Sequence, residues 1–417
     1  MVQVNVVVLR MSAAEEWLSF TGLECNLSPP PTLNTKDELI SLRFTIVSAF
    51  PYPYLARYII PKGKHMQSHV GTARSIVRHI LIYSLQRPRN VDFFIFGRAL
   101  FKMWLSLIPS IITPDYTWPA PAVTTVQRVT PPVPAVPGAN SRWLWGKAHG
   151  VLYHFSRCYC YLFGLYFDPH IIQLPFGLVL KWTDRTSVEE VIAMQMARAA
   201  GMPVPRVLSC GEHVTSHLTR EVSILMTRLP GFSLMNSDDP LEVADEGPWL
   251  EELKTCVHAM REWEPPSQNI ICSPIGTALR SSRVPDHIMG PFRDHILFYQ
   301  HLFAPASQHG FKSVDEYNNT FATAKQLQQR PYKVKFTHGD LKAHNILINE
   351  DGHLAGFLDW ESGGWYPEYW EYTTAMRFGR DSWWYQVAMW MGGDEYREEL
   401  ESDRALNRLT VDSYIAF

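Results

Sequence analysis

The sequence predicts an α+β protein in which a small strand-rich part precedes a larger, mostly helical part. Two short apolar stretches, FGLVLKW (Phe176–Trp182) and VSILMTRLPG (Val222–Gly231), are typical of strands bounded by turn residues. One helix is expected between them. Helical patterns dominate afterwards, in PWLEELKTCVHAMREW and through much of Asp286–Gln328. We find no internal repeat.

The helix expected between the two strands has both a start signal and a stop signal. Ser187 and Glu190 have the spacing of a capping box, in which each side chain accepts the backbone N–H of the other residue. Gly201 ends the pattern. The apolar stripe between them consists of Val188, Val191, Ile192, Met194 and Met196.

Composition limits the possible functions. The chain has 417 residues, 46% apolar residues and a net charge of −3, which is typical of a globular protein and not of a disordered one. A near-neutral charge does not favour nucleic acid as a partner, because nucleic-acid binding requires a basic face. We expect a monomer.

Six cysteines without a CxxC pair indicate reduced thiols in a cytoplasmic protein, not a disulfide framework. Cys158 and Cys160, with His154 nearby, resemble half of a metal cluster. A second half with ligand spacing is missing from the sequence, so a metal site here is disfavoured.

The domain boundaries follow from composition. Residues 1–112 form an N-terminal extension of uncertain structure, and residues 113–140 hold seven prolines and are predicted to be an extended linker. Residues 141–228 and 229–417 are predicted to form the small and the large part. Phe93–Ile112 is the best membrane-span candidate, but Arg98 and Lys102 favour an amphipathic packed or interfacial helix, so no transmembrane span is expected.

A β-hairpin is predicted in FTHGDLKAHNILINEDGHLAGFLDWE. The runs Ile346–Asn349 and Leu354–Trp360 flank Asp351-Gly352, which is a strong signal for a two-residue turn. Paired residue numbers then sum to 703, so residue 345 faces 358 and residue 344 faces 359. A bulge would shift this register by one residue.

The register brings Asn345 and Asp359 to the open end of the hairpin, beside the loop that carries Asp340. Amide and carboxylate oxygens suit Mg²⁺, which completes its shell with water and phosphates. A further carboxylate can accept the proton of a hydroxyl. This combination predicts phosphoryl transfer, and the bland alternative is a surface hairpin with chance polar residues.

The segments HGDLKAHNILI and FLDWE resemble the catalytic segment of aminoglycoside phosphotransferase and choline kinase-like enzymes, which are relatives of the protein kinases. Other segments resemble the fungal phosphotransferase-like branch of that family: GLVLKW, EEVIAMQMARAAGMPVPRV, SILMTRLPG, GPFRDH and SGGWYPEYWEY. The resemblance runs from about Ser141 to the C-terminus. It implies a bilobal protein-kinase-like fold with ATP and Mg²⁺ bound between the lobes.

The resemblance also implies a role for each matching residue. Asp340 would be the catalytic base, and Asn345 and Asp359 would hold Mg²⁺. Lys181 would contact the nucleotide phosphates, with Glu190 as its partner. The remaining matches are Thr227 and Leu229 as hinge residues that contact adenine, His338 as a support of the catalytic loop, and Lys342 near the transferred phosphate.

Several of these residues have structural alternatives. Lys181 could lie at a strand edge with its ammonium in water, Glu190 could serve only the capping box, and Glu189 could replace it as the lysine's partner. His338 is expected to be a packed, hydrogen-bonded histidine, and Lys342 could be a solvated loop lysine. A separate set is expected to be mainly core or interlobe packing: Trp360, Trp365, Tyr366, Tyr369 and Trp370.

The sequence departs from the family pattern before Lys181, where a nucleotide-phosphate loop is expected. No GxGxxG occurs there, and Cys158–Gln173 has the character of an insertion. It is either a structural elaboration or translated intron sequence. In the first case a displaced phosphate loop would impair nucleotide binding.

The expected function is therefore ATP- and Mg²⁺-dependent phosphorylation of a hydroxyl on a small molecule. The alternative is a catalytically impaired pseudoenzyme, or a kinase-like module that binds nucleotide for an interaction. A protein kinase is disfavoured because DWE stands in place of DFG and no APE-like segment follows. The acceptor remains open, because a family does not define a substrate.

Overall fold

The computed structural model describes the strands β1 (Val6–Leu9) and β2 (Leu42–Thr45) and residues 109–410, except for 122, 124–125, 215–219, 236, 238, 285–286, 378 and 380–381. The chain divides into two compact units, Met1–Pro88 and Arg89–Phe417. In the first unit, β1 and β2 pair antiparallel with an irregularity at Val8.

The membrane-span candidate Phe93–Ile112 lies outside the described residues except at its end. There, Ser110–Ile112 form one turn of 3-10 helix. Among the helices that the structure describes, none is long and apolar enough to cross a membrane.

Residues 113–138 are mostly irregular along their described positions, but they pack on the rest of the second unit. The Trp118 N–H donates to the Arg228 carbonyl at 2.8 Å, and the Gln127 N–H donates to the Ala200 carbonyl at 2.8 Å. Val123 is buried in the main core. The proline-rich segment is therefore bonded to the globular part along its course.

The small lobe is built on a four-stranded antiparallel sheet of order β3-β4-β6-β5. Two helices accompany it. The strands are β3 (Ile171–Leu174), β4 (Leu178–Thr183), β5 (Val207–Val214) and β6 (Arg220–Thr227), and the helices are α1 (Ala139–Phe163) and α2 (Val188–Ala199).

Helix α1 is bonded to the face of this sheet. Its buried His149 lies between two hydroxyls, with Nδ1 2.6 Å from Ser223 Oγ and Nε2 2.9 Å from Ser209 Oγ. Burial lowers the pKa of His149 to about 4, so the imidazole is neutral. A Cβ at Gly146 would strike the Glu212 carbonyl, which shows how closely α1 approaches β5.

The segment that has the character of an insertion, Cys158–Gln173, is part of this lobe. Its first six residues complete α1, which ends at Phe163, and its last three belong to β3. Residue Ile171 pairs with Lys181. The segment thus supplies the edge strand beside the lysine strand.

Helix α2 begins as the sequence predicts. The Ser187 side chain accepts the Glu190 N–H at 3.2 Å, and the stripe Val191, Ile192 and Met194 is buried. The reciprocal half of the capping box is not formed, because the Glu190 carboxylate binds Lys181 instead.

The large lobe is mainly helical and contains three small antiparallel strand groups: β10-β13, β12-β11-β7 and β8-β9. The helices are α3 (Pro248–Arg261), α4 (His295–Phe303), α5 (Val314–Lys325), α6 (Trp370–Met376), α7 (Trp383–Trp390) and α8 (Arg397–Thr410). The strands are β7 (Phe232–Ser233), β8 (Leu279–Arg280), β9 (Ile288–Met289), β10 (Val334–Thr337), β11 (Ile346–Ile348), β12 (Leu354–Phe357) and β13 (Gly364–Pro367).

The main core lies mostly in the large lobe, includes the buried face of α2, and is rich in aromatic side chains. The aromatics that the sequence assigned to packing are all buried there: Trp360, Trp365, Tyr366, Tyr369 and Trp370. This packing fixes the strands and loops that carry the polar residues of the site.

Candidate active site

The hairpin of β11 and β12 forms, but its turn is longer than predicted. The Asn349 N–H donates to the His353 carbonyl at 2.9 Å, and Gly352, with φ of 80°, donates to the Asn349 carbonyl at 3.1 Å. The loop is therefore Glu350–Gly352, and the two-residue prediction is wrong. The physical reason is the Asn349 side chain, whose Oδ1 accepts the N–H groups of Asp351 and His353.

A bulge on β12 compensates for the longer turn. Ile348 pairs with Leu354, but Leu347 pairs with Gly356, so Ala355 is the extra residue. The pair sum returns to 703 at the open end, where the Leu358 N–H donates to the Asn345 carbonyl at 2.8 Å. Residues 345 and 358 thus face each other as predicted.

Asp340 and Asn345 lie in contact at this end of the hairpin. Asn345 Nδ2 donates to the Asp340 carbonyl at 2.9 Å and to Asp340 Oδ2 at 3.2 Å. Lys342 Nζ lies 2.7 Å from Asp340 Oδ1. The contacts with Asn345 and Lys342 together fix the orientation of the Asp340 carboxylate.

Lys181 joins the two lobes at the site. Its Nζ lies 2.8 Å from Glu190 Oε1 on α2 and 2.6 Å from Asp359 Oδ1 after β12. Lys181 and Glu190 are 7% and 2% exposed, so this ion pair is buried. Glu189 is not the lysine's partner, since it accepts the Thr277 hydroxyl at 2.7 Å.

The charges of this cluster follow from burial and proximity. Burial would lower the pKa of Lys181, but the Glu190 and Asp359 carboxylates raise that pKa above its usual value. Burial would likewise raise the pKa of Asp359, but the Lys181 ammonium lowers it. The lysine is therefore protonated and Asp359 ionised at neutral pH.

Glu361 adds a second acid beside this cluster. Burial, followed by the nearby Asp359 carboxylate, raises the pKa of Glu361 to about 7. Its Oε1 lies 3.3 Å from Arg185 Nη1 in the small lobe, which forms a second ionic contact between the lobes. Arg185 is half-exposed, so its charge compensates only part of the burial.

His338 is buried, and both of its ring nitrogens are engaged. Nε2 lies 2.9 Å from the Leu358 carbonyl, and Nδ1 accepts the Asp340 N–H at 3.3 Å. Because a carbonyl can only accept, Nε2 carries the proton. The ring thus ties the loop of Asp340 to the end of β12.

Glu371 on α6 is a contributor that the sequence analysis missed. Its carboxylate accepts the backbone N–H of His338 at 2.6 Å and the backbone N–H of Gly339 at 3.2 Å. Burial raises the pKa of Glu371, while His338 and Arg261 lower it in part. The only sequence signal was a pair of acids, Glu368 and Glu371, among the aromatics of WYPEYWEY.

The two predicted hinge residues lie where the lobes join. Thr227 ends β6, and Leu229 is buried against Leu347 and Ala355 of the hairpin. Of the region before Lys181 in which a phosphate loop was expected, the part ahead of β3 is the loop 164–170. In it Asp168 Oδ1 accepts the N–H groups of His170 and Ile171, at 2.8 and 3.3 Å.

The donor set fits Mg²⁺. Asn345 uses its nitrogen toward Asp340, and Asp359 uses Oδ1 toward Lys181, so each side chain retains an oxygen for a cation. This pair is not a complete metal site by itself: in the part of the chain that the structure describes, no cluster of three or more His, Cys, Asp or Glu side chains could hold a metal. This applies to Cys158 and Cys160 as well.

The fold and the lysine–glutamate pair define a protein-kinase-like protein. The sequence model of the phosphotransferase enzyme family, APH, matches residues 175–405, and the chain belongs to that family. This match runs from the turn before β4 into helix α8, and it leaves out α1 and β3 of the small lobe.

Solved structures show similarity at low identity. One is a thermostable mutant of aminoglycoside phosphotransferase APH(4)-Ia in its apo form, with 16% identity over 57% of this chain and 82% of that one, and a TM-score of 0.39. Another is APH(3'')-Id from Streptomyces rimosus with ADP and streptomycin, with 17% identity over 56% and 87% of the chains and a TM-score of 0.34. No curated protein matches the chain.

Replacing Glu371 with Gln should destabilise the protein by about 2 kcal/mol. Each carboxylate oxygen now accepts a backbone N–H, and in glutamine one of them is replaced by an NH₂ group, so two donors would face each other. Urea unfolding measures this loss. Glu368→Gln is the matched control, since Glu368 is only half-buried and accepts one backbone N–H at 3.2 Å. Equal stability of the two variants would contradict the role given to Glu371.

Glu361→Gln should stabilise the nucleotide-free protein more at pH 8 than at pH 5. In the folded protein the pKa of Glu361 is raised to about 7, above its pKa in the unfolded chain. Protonation of Glu361 therefore contributes stability that is fully present below the unfolded pKa and is lost as the pH rises through the folded pKa. Glutamine removes that loss. Urea unfolding at both pH values, with exposed Glu350→Gln as control, tests this, and parallel pH profiles would refute it.

Proposed function

We propose that the chain is an ATP- and Mg²⁺-dependent phosphotransferase that acts on a hydroxyl of a small molecule. One observation carries the proposal: a buried Lys181 bridges Glu190 of the small lobe and Asp359 of the large lobe. Asp359 follows the same hairpin that places Asn345 and Asp340 together. Family membership supports the reaction class.

Each residue has a role that matches its contacts. Asp340, held by Asn345 and Lys342, would orient the acceptor hydroxyl and take its proton. Lys181 would bind the nucleotide phosphates, and Glu190 would keep it in place. The cation site would use Asn345 and Asp359, and the bound Mg²⁺ would neutralise charge on the phosphates.

In the proposed transfer, one bond to phosphorus forms, another breaks, and a carboxylate takes the proton. The acceptor oxygen attacks the γ-phosphorus of ATP as its proton moves to an Asp340 oxygen, and the bond from that phosphorus to the bridging oxygen of ADP breaks. Lys342 lies beside Asp340 and would move to the transferred phosphoryl group. Burial of Lys181 strengthens its attraction for the phosphates, because little water screens it.

Adenine would be recognised at the hinge. A carbonyl at Thr227 and an N–H at Leu229 offer the acceptor and donor that a purine edge needs, and the apolar patch of Leu229, Leu347 and Leu358 would contact the ring. We place the enzyme in the cytoplasm as a monomer. The five described cysteines are free, which agrees with a reducing compartment.

The acceptor is proposed only as a hydroxyl-bearing small molecule. One solved structure of APH(4)-Ia contains AMP-PNP and hygromycin B, and one of APH(3'')-Id contains ADP and streptomycin. Those names describe the relatives' own ligands. The second candidate function is a nucleotide-binding pseudoenzyme, which the glycine-poor loop 164–170 favours.

The test combines nucleotide binding with turnover in three proteins. ATP with Mg²⁺ should raise the melting temperature of the wild type, since ligand at 100 times its Kd adds about 2.7 kcal/mol to stability. Asp359→Asn should lose the part of this rise that EDTA abolishes. Asp340→Asn should keep the rise but lose about 100-fold or more in ADP formation with a panel of hydroxyl compounds.

The outcomes separate the two candidate functions. Binding of ATP without turnover of any acceptor by the wild type would favour the pseudoenzyme. A melting temperature that does not respond to ATP in a folded sample would contradict both. Unchanged transfer in Asp340→Asn would remove that residue from the mechanism.

A further inference from the structure

The proline-rich segment contacts both lobes and the hinge between them. We call residues 110–130 the strap. At its start, the Ile111 carbonyl accepts the Phe176 N–H at 2.8 Å, and the Ile112 carbonyl accepts the Tyr159 hydroxyl at 2.8 Å, both from the small lobe. Near its end, the Gln127 carbonyl accepts Trp263 Nε1 of the large lobe at 3.1 Å.

Between these ends, the strap holds the hinge residue Arg228. The Trp118 N–H donates to the Arg228 carbonyl at 2.8 Å, and the Arg228 N–H donates to the Gly177 carbonyl at 2.7 Å. Both backbone groups of Arg228 are thus bonded. They belong to the two peptide units that flank Arg228 in the chain.

Peptide planarity transmits this constraint to the neighbouring residues. In a trans peptide the C=O and N–H groups point in opposite directions. Fixing the Arg228 N–H therefore directs the Thr227 carbonyl away from Gly177, and fixing the Arg228 carbonyl directs the Leu229 N–H away from Trp118. These are the acceptor and the donor proposed for the nucleobase.

The Thr227 side chain completes the arrangement. The backbone N–H of Thr227 donates to the Arg206 carbonyl at 3.0 Å, but the Arg206 N–H donates to the Thr227 hydroxyl, Oγ1, at 2.9 Å. In a regular antiparallel pair, that second N–H would take the Thr227 carbonyl. The Thr227 carbonyl therefore does not accept the Arg206 N–H and can accept another donor.

The strap also stabilises the strained turn between β3 and β4. Phe176 has φ of 65°, which is unfavourable for a bulky residue and costs about 1–2 kcal/mol. Strap groups bond both sides of it: its N–H donates to Ile111, and its carbonyl accepts Trp118 Nε1 at 2.8 Å. Gly177 lies under the rings of Tyr116 and Trp118, where a Cβ would collide.

We propose that Trp118 is a positioning residue for nucleobase binding and that the strap sets the direction of the hinge peptides. Trp118 acts at two points: its backbone N–H holds Arg228, and its indole N–H holds the turn whose Gly177 carbonyl holds Arg228 from the other side. The inference rests on the proposed function for its ligand, ATP, but the constraint on the hinge exists without ligand.

Trp118→Phe tests the indole contact, because it keeps an aromatic ring and the backbone N–H and removes only the Nε1 donor. The affinity for ATP should fall about fivefold, as expected for one hydrogen bond of about 1 kcal/mol. The affinity for inorganic tripolyphosphate should be unchanged, since it lacks a base, and kcat should stay within about twofold. Trp143→Phe, at an exposed tryptophan of α1, is the matched control.

Hydrogen exchange without nucleotide tests the strap independently of ATP. Exchange in the hinge peptide 224–229 should be faster in Trp118→Phe than in the wild type and in Trp143→Phe. If the wild type binds no ATP but this difference appears, the proposed function fails while the hinge constraint stands.

Phe176→Gly should rescue Trp118→Phe. Glycine adopts a positive φ readily, so the turn would no longer depend on the indole bond. ATP affinity in the double variant should return to within about twofold of the wild type. The proposal is overturned if Trp118→Phe weakens ATP and tripolyphosphate equally, if hinge exchange is unchanged, or if the double variant is as impaired as the single one.

Discussion

The arrangement of the site depends on one buried ammonium group. Lys181 Nζ binds Glu190 in its own lobe and Asp359 in the other lobe. Burying charges is costly, and such a cluster is weak evidence for stability, but removal of Lys181 would leave two acids without their cation, which costs about 3–5 kcal/mol. Glu190 Oε2 is buried without a hydrogen bond, so the cluster is not optimised for stability alone. We propose that the cluster aligns the two lobes for phosphoryl transfer.

The positions of the acids around that ammonium depend on backbone devices. The bulge at Ala355 corrects the register that the longer turn would have shifted, and Asp359 itself has φ of 60°, an uncommon conformation outside glycine. Glu371 binds the backbone N–H groups of His338 and Gly339, and the His338 ring binds the Leu358 carbonyl, just before Asp359. These side chains bind main-chain atoms, so they fix the backbone from which Asp340 and Asp359 project.

Sequence patterns predicted those features that depend on local periodicity. Strand parity placed Asn345 opposite Leu358 from the residue numbers alone, and the Ser187 cap identified the start of α2. The family pattern favoured Glu190 as the partner of Lys181 but left Glu189 open, and the structure shows the contact with Glu190. The turn length was missed because it depends on a side chain, Asn349, that accepts two backbone N–H groups.

Long-range contacts could not be predicted from the sequence. Glu371 has no periodic signal, and its contact to the Gly339 N–H spans 32 positions in the chain. The proline-rich segment was predicted to be a linker because it lacks an apolar period, yet Trp118 bonds to Arg228, which only the folded hinge brings near. The segment Cys158–Gln173 likewise forms the end of a helix and part of a strand, which composition alone did not indicate.

The most direct test is a crystal structure of the protein with Mg²⁺ and a non-hydrolysable ATP analogue. Our account predicts that Lys181 keeps its contact with Glu190 and exchanges Asp359 for a phosphate oxygen, while Asp359 and Asn345 bind the metal. An analogue bound away from Lys181, or a metal held without Asn345 and Asp359, would contradict it.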